Sequence, residues 1–165
     1  MNTRSDMVCY KKFPHAAYSI EIVGSTLISE LVGQWSTEIS NSYIADVKQE
    51  VSSKFNKRWL HIVLLDKWDL TTFDAMDKFT EYGIWCYEKG VKATFYVYQT
   101  NPVKRYQLAK MLPERAKDYV SFHVLSIDDA FLYASENGFL DDPKPNQTIK
   151  TLNAWHTPAF AAVSQ

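Results

Sequence analysis

The chain has 165 residues, 46% of them apolar and 22% charged, with a formal net charge of −1 at pH 7. That is about one domain's worth of sequence with the usual globular mix, long enough to bury a core of its own. A near-neutral balance with scattered lysines and arginines gives nucleic acid or an anionic membrane surface little to attract, so neither is expected as a partner.

Cys9 and Cys86 are the only cysteines and have no metal or redox spacing around them. Two thiols in a chain of this length do not make a disulfide framework, and a reducing compartment suits them best. The opening residues, MNTRSDMVCYKKFPHAAYS, contain no uninterrupted apolar segment of the signal-peptide kind. No stretch approaches the ~20 apolar residues of a membrane helix. The expectation is a soluble cytoplasmic protein without a membrane span.

In chain order, residues 1–16 read as an N-terminal arm. Tyr18 to Val23 then alternates apolar and polar at the strand period, and Thr26 to Val32 is a second apolar-rich run. The Gly24-Ser25 link between them is a hairpin signal, because glycine takes the positive φ of a type II′ turn. After Gly33 the period changes: Ile39, Tyr43, Val47, Val51 and Phe55 recur every fourth residue, which predicts a helix over 37–55 with Ser36 as its cap. Trp59 to Leu65 is nearly continuous apolar sequence, as in a strand covered on both faces.

Next comes LLDKWDLTTFDAM, residues 64–76, leading into a helix predicted over 73–89 with Gly90 as a left-handed C-terminal stop. Val91 to Tyr98 reads as a strand. Asn101-Pro102 opens a third helix, with Asn as cap and Pro at the first turn, and Pro113 ends it. Val120 to Leu125 is a fifth strand, and Ser126 caps a fourth helix that stops at Gly138. The fold class is therefore α/β: a five-stranded mixed, mostly parallel sheet with an N-terminal β-hairpin and four helices. The domain spans 17–139, and residues 140–165 read as a C-terminal tail.

The order of these elements, together with Val63-Leu64-Leu65-Asp66, Trp68, the helix start at Leu70-Thr71-Thr72, Glu88-Lys89-Gly90, Tyr106-Gln107-Leu108 and Ile127-Asp128-Asp129-Ala130, resembles the STAS fold of the bacterial anti-sigma-factor antagonists. It looks most like a group of small uncharacterised bacterial STAS-like proteins. The match covers about residues 18–139. It implies a non-catalytic regulatory module that binds proteins. In the antagonists an Asp-Ser-Ser-Gly type motif starts the helix after the third strand, and a kinase that is also the anti-sigma factor phosphorylates its serine. Thr72-Phe73 stands where Ser-Gly would. Neither the aspartate nor the glycine is matched in place, and Phe73 would crowd an approaching kinase loop.

Residue chemistry adds two candidate sites. Thr72, Thr71, Asp66, Trp68 and Asp69 lie just past the carboxyl end of a parallel strand, where open α/β sheets place ligands, and form a candidate phosphosite or interaction loop. The plainer reading makes Thr72 a helix cap and the aspartates solvated turn residues. Tyr82, Trp85, Tyr87, Phe95, Tyr96 and Tyr98 are candidates for an apolar pocket or a dimer interface, against the default that they simply pack in the core. The four histidines follow no ligand spacing, and no nucleophile elbow or phosphate-cradling glycine loop is visible. No cofactor, metal or catalytic residue is expected. The reading is a protein-interaction module that binds a protein partner or its own copy, with a carrier or sensor of a small apolar, lipid-like ligand as the alternative.

Overall fold

The computed structural model describes residues 6–111, 120–140 and 163–164. Strand β1 (Asp6–Lys12) is followed by β2 (Ala16–Val23), β3 (Thr26–Trp35), α1 (Thr37–Lys54), β4 (Trp59–Leu64), β5 (Trp68–Thr71), α2 (Phe73–Glu88), β6 (Val91–Val97), α3 (Pro102–Met111), β7 (Ser121–Val124), α4 (Ile127–Glu136) and β8 (Val163–Ser164). The strands form one sheet in the order β1-β2-β3-β4-β6-β7-β8, with β5 pairing β3. Both β1–β2 and β2–β3 are antiparallel, β3, β4, β6 and β7 run parallel, and β8 returns antiparallel to β7.

The β2–β3 hairpin closes on Gly24-Ser25 with Val23 opposite Thr26. Gly24 has φ +59° while Ser25 stays at negative φ, the sign pattern of a type II′ turn. Gly33 is the more demanding glycine. It has φ +83°, and a Cβ there would lie 2.1 Å from the backbone oxygen of His15. The pairing of β3 with β5 is irregular just past Gly33: Gly33 stands opposite Trp68 and Gln34 opposite Leu70, so Asp69 is the extra residue. Thr26 to Glu30 pairs with β4, whereas Gly33 to Trp35 pairs with β5.

The strand period sorts the core into two layers. Trp59, Val63 and Leu65 face a layer with Tyr18, Leu31, Trp35, Tyr43, Val47 and Tyr82, under α1 and α2. Leu60, Ile62 and Leu64 face the opposite layer with Phe95, Val97, Ala130 and Phe131, under α4. Every residue of β4 is buried, as its uninterrupted apolar sequence requires.

The mixed α/β class, the opening hairpin and the four helices match the expectation; the strand count does not. Residues 6–12, expected within an arm, form β1 and extend the sheet beyond the predicted 17–139 domain. A register break between Met7 and Cys9 interrupts the alternation there, which hides the strand period. The four residues of β5 fall in what reads as a loop, because two aspartates and a polar flank mask a strand this short. Val163 and Ser164, expected within a tail, pair with β7. Residues 1–5 of the arm, the predicted helix end at Pro113, and 141–162 and 165 of the tail lie outside the described residues. Among the described residues no helix is long and apolar enough to cross a membrane.

Candidate functional site

The carboxyl ends of the parallel strands gather β5, the starts of α1 and α2, and the first turns of α3. Trp68 sits in the core at 1% exposure, and its indole N–H donates to Thr71 Oγ1 at 3.1 Å. Thr71 is buried, and its backbone is held by a side chain. Its N–H donates to Gln107 Oε1 at 3.0 Å, and its carbonyl accepts from Gln107 Nε2 at 2.8 Å. The carboxamide of Gln107 thus pairs with the outer edge of β5 as a neighbouring strand's peptide group would. Asp66 Oδ1 accepts from the Gln99 backbone N–H at 2.8 Å, tying the end of β4 to the end of β6. Lys104 Nζ donates to the carbonyls of Leu65 and Asp66 at 2.8 and 3.0 Å. Partial burial lowers the pKa of this ammonium, and Asp66 and Asp69 offset part of that.

Thr72 and Thr71 therefore differ. Thr72 stands at the N-cap position of α2 with extended backbone, but its side chain makes no capping bond. The expected side-chain cap is not formed. The backbone does the work instead: Thr72 N–H donates to Trp35 O, and Thr72 O accepts from Ala75 and Met76 N–H. Ser36, the other predicted cap, likewise makes no side-chain capping bond at the start of α1. Ser126 and Asn101 do cap, the first accepting from Asp129 N–H, the second from Val103 and Lys104 N–H. The Thr72 hydroxyl is left exposed and without a capping role, while Thr71 is 5% exposed and engaged.

Beside Thr72 runs an open groove of about 690 Å³ between β5, the β1–β2 turn and the start of α1. Asp69, Leu70, Thr71 and Thr72 form one wall; Phe13, Trp35 and Ile39 contribute to the others. Phe73 is 83% exposed at the first position of α2, and Leu70 is also exposed. On α3, held to β5 by Gln107, Val103 and Tyr106 are exposed as well. Asp69 is exposed, as a turn aspartate should be.

The six aromatic candidates do not converge. Tyr82 and Tyr96 wall an internal cavity of about 60 Å³, together with Tyr43, His61, Thr94 and Leu108. Trp85 is half-buried, stacked on Tyr82 with Lys48 over its ring, and Tyr87 is exposed on the same helix. Phe95 points into the other core layer and stacks on Phe122. Tyr98 binds His123 in a separate cleft. Alternation along β6 sends Phe95 to one face and Tyr96 and Tyr98 to the other, so the set cannot line one pocket. A lipid-sized ligand needs roughly 300–1,000 Å³, and the internal cavity falls far short of that.

Sequence reasoning passed over the polar groups buried among these rings. Tyr43 donates to Ser29 Oγ at 2.8 Å and sits 3.5 Å from His61 Nε2. Tyr82 has no hydrogen-bond partner of normal length for its buried hydroxyl; Tyr43 and Cys86 are its polar neighbours. Burial pushes the Tyr43 and Tyr82 hydroxyls up, holds His61 down to about 3 and raises the Cys86 thiol to about 12. These groups are neutral across ordinary pH, so none is a ready base or nucleophile.

A second polar cluster holds β1. Asp46 on α1 accepts from Tyr18 Oη at 2.5 Å and from Cys9 Sγ at 3.4 Å, and pairs with Lys11 Nζ at 2.8 Å. Burial raises the Asp46 pKa, but the bonds from Lys11, Tyr18 and Cys9 outweigh it and leave it lowered. Burial and the adjacent carboxylate push Cys9 up to about 11, so this thiol is not a reactive one. Among the described residues no group of three or more His, Cys, Asp or Glu is placed to hold a metal ion. No protein-family model matches the chain, and a search of the curated proteins finds no significant match.

Proposed function

We propose that this chain is a non-catalytic cytoplasmic interaction module of STAS-like fold that binds a protein partner through the surface around residues 66–75 and the start of α2. The observation that supports the reading is a pair of exposed apolar residues, Leu70 in the wall of an open groove and Phe73, 83% exposed and next in the chain to Thr72 of the same wall. A solvent-facing Phe at a helix start gains nothing for the folded monomer, while exposed apolar side chains grouped near a groove are what a partner buries. The backbone that presents it is fixed by Gln107, Trp35 and Trp68, so the surface is preorganised. Thr72 lies within the same surface with its hydroxyl uncommitted, and a phosphate there would alter what the groove accepts.

The test places a photo-crosslinking amino acid at position 73 in the native cells, and a control at exposed Leu132 on α4. A defined crosslinked product from position 73 and none from 132 supports the reading, and its mass separates a second protein from a second copy. Absence of any product from 73, or the same products from both positions, refutes it. Intact mass of the protein from those cells reports whether Thr72 carries phosphate.

A further inference from the structure

Charge of opposite sign flanks β5. The groove beside Thr72 has two exposed carboxylates in its walls, Glu38 and Asp69, and neither lysine nor arginine lines it. Across the strand stands α3, held to the outer edge of β5 by Gln107. This helix carries Lys104, Arg105 and Lys110 and no acidic residue. Lys104 is engaged by the carbonyls of Leu65 and Asp66, whereas Arg105 and Lys110 are exposed, the latter with its ammonium over the Tyr106 ring. Among the described residues, none of Glu38, Asp69, Arg105 and Lys110 forms an ion pair.

Apolar side chains accompany both charges. Of the eight large apolar residues exposed among the described ones, four stand on these adjoining elements: Leu70 on β5, Phe73 at the start of α2, and Val103 and Tyr106 on α3. That is a concentration rather than the scatter of an ordinary surface. The surface thus has an acidic, apolar half and a basic, apolar half. Within one copy the two cannot meet, because β5 and Gln107 hold them side by side. A partner of uniform charge is drawn to one half and repelled by the other. A second copy turned about a two-fold axis satisfies both at once, since an isologous contact sets each half against its complement twice. The net charge of −1 puts little general repulsion between copies.

We propose that this surface pairs two copies of the chain about a two-fold axis, with α3 of each seated on the acidic groove beside Thr72 of the other. Burial of Leu70, Phe73, Val103 and Tyr106 supplies the affinity, and the charges set the orientation. The inference rests on the partner-binding reading and names the partner as a second copy.

The test is sedimentation velocity of the full chain over a range of concentrations, with circular dichroism as the check on folding. The parent should form a concentration-dependent dimer. Phe73→Ser should weaken it at least about ten-fold, since an apolar anchor is lost. One double variant, Arg105→Glu with Lys110→Glu, and another, Glu38→Lys with Asp69→Lys, each set like charges opposite one another at both contacts. Each should weaken self-association at least about ten-fold. All four positions are exposed, so the fold should survive both changes. Mixed in equal amounts, the two double variants should associate within about three-fold of the parent, because the reversed signs now match. A parent that stays monomeric up to about 1 mM overturns the proposal. If position 73 then still crosslinks to a different protein, the partner-binding reading stands and only the second copy is refuted. A dimer unmoved by Phe73→Ser or by either double variant, or a mixture that does not recover, overturns it as well.

Discussion

Gln107→Leu removes the two bonds that close the outer edge of β5 while keeping the side chain's size. Thr71 N–H and C=O then lose partners at 3.0 and 2.8 Å, in a residue only 5% exposed. A typical net hydrogen bond contributes ~0.5–1.5 kcal/mol, and a buried group left unsatisfied costs ~1–3 kcal/mol. Some water can reach the site from the groove side, so the two together should cost about 2–3 kcal/mol rather than the full sum. For a chain of this length that is a fall in Tm of roughly 5–10 °C. Gln107→Glu is a sharper variant. Its carboxylate still accepts from Thr71 N–H, but it sets a second oxygen against the Thr71 carbonyl, so it should not recover the loss. Urea unfolding gives the stability change, and amide hydrogen exchange at Thr71 reports the broken bond directly. A Gln107→Leu protein within ~0.5 kcal/mol of the parent, with Thr71 exchange unchanged, would refute the claim that this carboxamide secures the strand.

Gly33→Ala should cost about 3 kcal/mol or more, because positive φ strain adds to a Cβ 2.1 Å from a backbone oxygen, and soluble yield with urea unfolding measures it. Gly24→Asn, at φ +59° with nothing within 4 Å, should stay within about 1 kcal/mol by the same assay. Asp46 has a folded pKa below its ordinary 3.8, so its contribution is intact above that value and fades as pH falls through the lowered one. The stability gap between parent and Asp46→Asn, read by urea titration, should therefore narrow below about pH 4. His61 and His123 protonate near 6.5 when unfolded but only near 3 and 4 when folded, so stability is full above 6.5 and declines as pH falls toward 4. The decline is at most ~1.4 kcal/mol per pH unit for each ring, and His61→Gln should flatten it.

Much of the architecture is written locally. The four-residue spacing of Ile39, Tyr43, Val47 and Val51 gives α1 and its buried face, and the unbroken run at Trp59 to Leu64 gives a strand buried on both sides. Gly24, Gly90 and Gly138 sit at positive φ where a turn or helix stop is read from sequence. What stays hidden is set by tertiary pairing. β5 exists because β3 runs on past the end of β4 and takes a second parallel neighbour from Gly33 onward, and because a glutamine thirty-six residues beyond Thr71 serves as its far edge. No local pattern encodes either. The site follows the same division. Residues 66–72 read as a carboxyl-end loop from the strand that precedes them, but the difference between buried Thr71 and exposed Thr72 rests on Trp68 and Gln107. The His123–Tyr98–Arg105 cleft joins two strands and a helix start that sequence distance keeps apart.

The place of β1 at the margin of the sheet bears on how this protein behaves when crowded. Among the described residues its only ladder partner is β2, so its far side offers unpaired backbone groups to any extended chain that drifts past. Two features discourage such an addition: the register break near Met7, and the adjacent charges of Lys11 and Lys12. Lys11 has a double duty, since its pairing with Asp46 also keeps the strand against α1. Exchanging both lysines for threonine would leave a flatter, uncharged border, and the material should then pass from a clear solution to filaments joined strand to strand.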